Sequence, residues 1–256
     1  MGKKHLMTGG ASALTFACLW ATCSSAVAQV TTETKLADKA IAENVLTFEK
    51  ATPDATPTGF TEALTAGGGP VKWHVVETKD APSGKYVVAQ LSIDATGSRY
   101  PLLILDDFSA RDVDVSVKFK AISGKVDQAA GIVWRLQDKD NYYIARANAL
   151  ENNVVIYKTV AGKRSSIGIK SDPKAYGVKT EVLANKWNTL RVRMVGNLAE
   201  VFLNDVKIIE VENDSFQGPG KIGLWTKADS VTYFDDLQMT SIDESAAKKA
   251  EDNVDK

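Results

Sequence analysis

Apolar residues recur at every second position through most of the chain from residue 45 onward, the spacing of strands that bury one face. The cleanest case is Asp112–Lys120, where valines and Phe119 alternate with aspartates, a serine and lysines, so one face packs and the other meets water. Gly131–Lys158 reads as three short strands joined by the polar connections DKDN and ANALENN. Further strands are expected at Val45–Glu49, Val71–Val76, Lys85–Leu91, Leu102–Leu105, Val206–Val211, Lys221–Thr226 and Val231–Met239. Leu190–Met194 and Ala199–Leu203 form a hairpin around Gly196-Asn197, across which Arg191 or Arg193 reaches Glu200. No stretch carries a helical period long enough to compete. Short strands at regular intervals with Gly, Asn and Pro turns predict an all-β sandwich of two antiparallel sheets over residues 45–242.

The two ends differ from this pattern. Lys3 and Lys4 precede an apolar run from Ala11 to Ala21, and Ala26-Val27-Ala28 has the small-x-small form of a signal-peptidase site. Residues 1–28 are therefore expected to be a signal peptide cleaved after Ala28, delivering the protein to the periplasm or outside the cell with no membrane anchor. Residues 29–44 read as a flexible lead-in and 243–256 as a charged tail.

Composition then narrows the chemistry. Cleavage removes two of the 31 lysines and arginines and none of the 32 acids, a net charge near −3, so nothing points to nucleic acid. It also removes both cysteines and one of two histidines, leaving only His74. A thiol nucleophile, a thiolate metal centre and a multi-histidine zinc centre are excluded, and no cofactor is expected.

By strict alternation, Arg135 shares a face with Val133, and Arg146 shares one with Asn148, so a single sheet face collects Arg135, Arg146, Asn148 and nearby tyrosines. Arginine forks with amides and aromatic rings suit hydroxyl-rich or anionic ligands. The alternative is a solvated face whose arginines are paired with Asp138, Asp140 or Glu151. Tyr142, Tyr143, Tyr157 and Trp225 are the rings on which a sugar could stack, whereas Trp134 and Trp187 read as core. Asn152 in the adjoining turn joins the binding set. Glu210, Glu212 and Asp214 read as a charged strand edge that discourages pairing. Asp106-Asp107 and Asp235-Asp236 lack calcium-loop spacing and read as turn caps and surface residues.

The order of several segments resembles the concanavalin A-like jelly rolls, and among them the family named for 3-keto-disaccharide hydrolases. The segments are Gly131–Arg135 with the tyrosine-rich strand after it, Lys186–Leu190, Leu203-Asn204, Phe216–Leu224 and Val231–Leu237. The resemblance implies a carbohydrate ligand and, in catalytic members, hydrolysis of glycosidic bonds. It carries Arg135 over as a sugar-orienting residue. Catalytic members hold a Tyr-Glu-x-Gln on the next strand, which here reads Tyr142-Tyr143-Ile144-Ala145-Arg146-Ala147-Asn148 without an acid. Glu151, in the following loop, is then the acid expected to serve.

Overall fold

The computed structural model describes residues 45–242. The expected signal peptide, the lead-in and the tail lie outside the described residues. Sixteen strands and no helix occur among the latter: β1 (Val45–Leu46), β2 (Phe60–Ala66), β3 (Trp73–Glu77), β4 (Tyr86–Gln90), β5 (Arg99–Leu105), β6 (Val113–Ser123), β7 (Ala129–Asp138), β8 (Asn141–Asn148), β9 (Asn153–Val160), β10 (Lys163–Ser166), β11 (Val178–Lys179), β12 (Asn188–Val195), β13 (Leu198–Leu203), β14 (Val206–Glu212), β15 (Lys221–Trp225) and β16 (Val231–Ser241).

They form two eight-stranded antiparallel sheets. The first runs β14-β13-β12-β6-β16-β4-β3, with β1 added to β16; the second runs β10-β9-β8-β7-β15-β5-β2, with β11 added to β9. Some neighbours in space are distant in sequence, as β6 beside β12 and β16, so those pairings close long loops.

The core lies between the sheets. Val113, Val115, Val117 and Phe119 of β6 face inward beside Leu190, Val192 and Met194 of β12. From the other sheet come Ile132 and Trp134 of β7 and Tyr143, Ala145 and Ala147 of β8. The Trp134 indole N–H points at the Met194 sulfur 2.9 Å away, crossing from one sheet to the other. The first sheet keeps the expected solvated outer face. There Arg191 donates to both oxygens of Asp114, at 2.7 and 2.5 Å, and Arg193 to Glu200 at 3.4 Å. The acidic run on β14 is a salt-bridged edge: Lys170 and Lys207 hold Glu210, and Lys170 also holds Glu212.

The second sheet departs from the amphipathic pattern. Residues 129–136 of β7 and 142–148 of β8 are buried throughout, so both of its faces are covered. A second apolar cluster, including Leu102, Val133, Ile144 and Val155, occupies its outer face. The strand β2, which the alternation does not mark, pairs with β5 and edges this sheet.

Three residue assignments change. Trp187 is half-buried at the surface, where its indole donates to the Asp80 carbonyl at 2.6 Å. Asp235 and Asp236 are buried, not surface residues. Asp235 lies opposite Lys118 in the register of β16 with β6 and accepts from the amides of Ser83 and Asp236, and, beside the bulge that follows, Asp236 pairs with Lys118 at 2.7 Å.

Candidate functional site

Strand pairing lays side chains of the second sheet in rows across its outer face. One row runs Leu102, Trp225, Gly131, Arg146 and Val155; the next runs Ile104, Gly223, Val133, Ile144 and Tyr157. Gly131 makes room where it stands. A Cβ there would lie 3.2 Å from the Trp225 ring and 3.0 Å from the Ala145 carbonyl, so the glycine lets the indole lie close to the sheet. Trp225 stacks on Tyr100 with ring centres 5.5 Å apart and planes within 18°. Arg164, from the edge strand β10, reaches over these rings: its guanidinium carbon is 4.7 Å from the centre of Tyr100, 5.5 Å from Trp225 and 4.3 Å from Tyr157. Arg146 lies over Tyr157 too, at 5.7 Å.

A polar network continues from the rings. Arg146 donates to Glu151 at 2.9 Å and to the Asn153 side chain at 2.7 Å, and Asn153 donates to the same Glu151 oxygen at 3.0 Å. Asn148 donates to Asp127, and its side-chain Oδ1 accepts from the amides of Leu150 and Glu151, which shapes the turn carrying the acid. Lys227 pairs with Asp127. The loop bearing Asp127 is held in turn by Asp229, which accepts the amides of Lys125, Val126 and Asp127.

Electrostatics follow from these contacts. Burial pushes the Glu151 carboxyl up, but the Arg146 guanidinium and the Asn153 amide outweigh it and hold the pKa below its ordinary value. Burial likewise opposes the Arg146 cation, and Tyr157, Glu151 and Asp127 overcome it, leaving its pKa raised. Glu151 is thus an anion at neutral pH, and its side chain is 39% exposed where Arg146 is not. Deeper in the face, burial raises the pKa of the Tyr142 phenol against smaller opposing effects of Thr65, Thr159 and Trp225. Its hydroxyl meets Thr65 Oγ1 at 2.7 Å.

The residues singled out from the sequence divide between two faces. Arg146, Asn148, Tyr142, Tyr157, Trp225 and Glu151 come together on the outer face, but all except Glu151 are at most 2% exposed, so the expected sugar-facing surface is covered. Arg135 does not. Its φ of +45° and the register shift after Trp134 break the alternation, and its side chain turns to the inner side at the rim of the sandwich. There it donates to the carbonyls of Arg111 (2.7 Å), Phe216 (2.7 Å) and Gly196 (2.5 Å) and to Asp112 (2.9 Å). All of its reach is spent on the protein. Tyr143 also points inward, stacked on Trp134 and bonded through its hydroxyl to Asn213. Arg135 and Tyr143 are therefore structural here. Asn152 is an exposed turn residue at φ +47°, accepting the Val182 amide. Asp138 and Asp140 neutralise neither arginine: Asp138 caps the hairpin turn, and Asp140 pairs with Lys139.

Alternation missed Tyr100, Asp127, Asn153, Arg164 and Lys227. Arg164 sits in the polar segment AGKRSS, which has no apolar period to mark a strand. Asp127 and Lys227 are a hundred positions apart and meet only through β7 and β15. Among the described residues, no cluster of three or more His, Cys, Asp or Glu is placed to hold a metal ion.

The comparisons agree with this architecture. The carbohydrate-binding module CBM66 from Bacillus subtilis superposes with a TM-score of 0.54 at 21% identity, covering 72% of this chain and 96% of its own. The cellulose-induced protein Cip1 superposes with a TM-score of 0.52 at 13% identity, covering 77% of this chain and 97% of its own. At such identities these likenesses speak to the fold, a jelly-roll sandwich. No curated protein matches the chain. The family model described as 3-keto-alpha-glucoside-1,2-lyase-like domain matches residues 62–240, nearly the whole sandwich from β2 to β16, and the chain belongs to that family.

Proposed function

We propose that the protein is exported and binds carbohydrate on the outer face of its second sheet. The observation that carries this reading is the cluster of Tyr100, Trp225 and Tyr157 beside the Arg146–Glu151–Asn153 network. A sugar presents C–H faces to rings and hydroxyls to charged and amide groups, and this face holds both within one patch; the rings are at most 8% exposed beneath Arg164, so stacking on them requires that side chain to swing aside. The likeness to CBM66 and Cip1 and the family match support it. Isothermal titration of the protein against a panel of neutral and acidic oligosaccharides tests the reading. Binding lost in both Trp225→Ala and Tyr157→Ala variants that remain folded supports it; binding unaffected by either, or absent across the panel, rejects it.

A second reading, turnover of 3-keto-glycosides, is favoured by the ionised, half-exposed Glu151 beside Arg146. As a base it would take the C2 proton, which the neighbouring C3 carbonyl acidifies. The C1–O bond then breaks as C1=C2 forms, and the departing oxygen takes a proton from water. Addition of water across that double bond completes a net hydrolysis. Release of the aglycone from a 3-keto-glucoside, abolished in Glu151→Gln while binding persists, is the expected result; equal turnover in that variant rejects Glu151 as the base.

A further inference from the structure

We propose that the ligand of this face is an anionic sugar, one carrying a carboxylate or sulfate oxygen on its ring, and that Arg164 is the residue that selects it. This rests on the carbohydrate reading of the same face and narrows it.

Donors on this face lack acceptors. Arg146 is fully buried, and although its Nη2 is spent on Glu151 and Asn153, its Nε has no partner among the described residues. The Nη1 of Arg164 is buried without a partner as well. Both nitrogens are donors only, so neither can satisfy the other. A buried donor left unpaired is costly, so two beside one tyrosine ring describe a place awaiting an acceptor oxygen. The Trp225 indole nitrogen and the Thr159 hydroxyl, by contrast, lie at the Tyr142 hydroxyl.

Charge gives the sign of the missing group. Glu151 answers Arg146, and Asp127 answers Lys227. Arg164 has no such counterpart: no ion pair reaches it among the described residues, and its contacts to Tyr100, Tyr157 and Trp225 are to ring faces. Lys179, solvated and resting on the Glu151 carbonyl, adds positive charge at the rim. Two guanidinium groups therefore converge on one tyrosine ring, and the one carboxylate there, Glu151, is paired with Arg146. An oxyanion on the ligand would accept from the Arg164 fork and draw it off the rings it now covers, and the sugar ring would take the aromatic surface so uncovered.

Position also suits Arg164 to selection. It stands on the four-residue edge strand β10 and is only partly buried, so replacing it leaves the core between the sheets intact.

The test uses oligogalacturonides, their methyl esters of equal length and a sulfated galactan oligosaccharide, titrated against the wild-type protein, Arg164→Gln and Arg164→Lys. The expected result is binding of an acidic probe at least about tenfold tighter than the methyl ester, weakening as salt is raised. Arg164→Gln should erase that preference and Arg164→Lys retain part of it. Preference for the galacturonide identifies a carboxylate source, and preference for the sulfated probe a sulfate source. Equal binding of acid and ester, or a preference unchanged in Arg164→Gln, overturns the selection by charge but leaves the carbohydrate reading standing. Binding of neutral glycans alone does the same. No binding by any acidic or neutral glycan overturns both.

Discussion

Arg135 and Arg146 leave adjacent antiparallel strands in opposite directions, one into the rim between the sheets and the other onto the outer face. Arg135 is closed in by three backbone carbonyls and Asp112, itself buried and also accepting the Gly196 amide. Its loss would strand a buried carboxylate and several carbonyls. Arg135→Met should therefore destabilise the fold by about 3–5 kcal/mol in chemical denaturation, while glycan affinity of the folded fraction stays at the wild-type value. A change in affinity without a change in stability would return Arg135 to the binding site.

Glu151 belongs to the opposite case. Its folded pKa lies below the ordinary carboxylate value, so its contribution is present above the unfolded pKa of about 4.3 and is lost as pH falls through the lower folded value. Because the side chain is partly solvated, the amount is about 1 kcal/mol or less. The stability difference between wild type and Glu151→Gln should be constant from neutral pH down to the carboxylate range and shrink below it. A difference that grows on acidification would contradict the Arg146 pairing.

Asp235 runs the other way. Burial, with the charges of Asp236 and Glu49 adding to it, raises its pKa to about 6, against the amides of Asp236 and Ser83. A raised acid favours the proton in the folded state, so its stabilising effect is complete below the unfolded pKa and is lost as pH rises through about 6. Carboxyl NMR should show Asp235 titrating near 6. Its contribution to thermal stability should increase as pH drops from 7.5 toward 5, opposite in sign to that of Glu151. A midpoint near 4 would reject this environment.

Gly131→Ala probes the floor of the outer face. The added methyl would press on the Ala145 carbonyl and the Trp225 ring, and the indole has more freedom to move than the strand. The expected cost is about 1–3 kcal/mol of stability, with a changed Trp225 environment in fluorescence. Glycan binding should weaken roughly tenfold through the displaced stacking surface. Unaltered fluorescence and affinity would show that the ring does not depend on this glycine.

How far the chain could be read depended on how local each cause is. Period-two alternation in β6, β12 and β13 is a property of neighbouring residues and produced those strands where it predicted them. The same rule failed at Arg135, because one residue in the left-handed region reverses the face of everything tied to it. It was silent on β2 and β10, whose polar residues become strand only beside β5 and β9.

By itself, the order of apolar and polar positions determined an all-β sandwich and predicted Arg135, Arg146 and Asn148 on one face, while the resemblance to a sugar-acting family rested on the order of its motifs and pointed to Glu151. The tertiary structure alone decided which face each arginine serves, that Asp127 meets Lys227, and that Arg164 lies across Tyr100, Tyr157 and Trp225. The reason is physical. Facing is inherited from residue to residue along a strand, whereas pairing across β10, β9, β15 and β5 is set by hydrogen bonds between segments far apart in the chain, which no local period encodes.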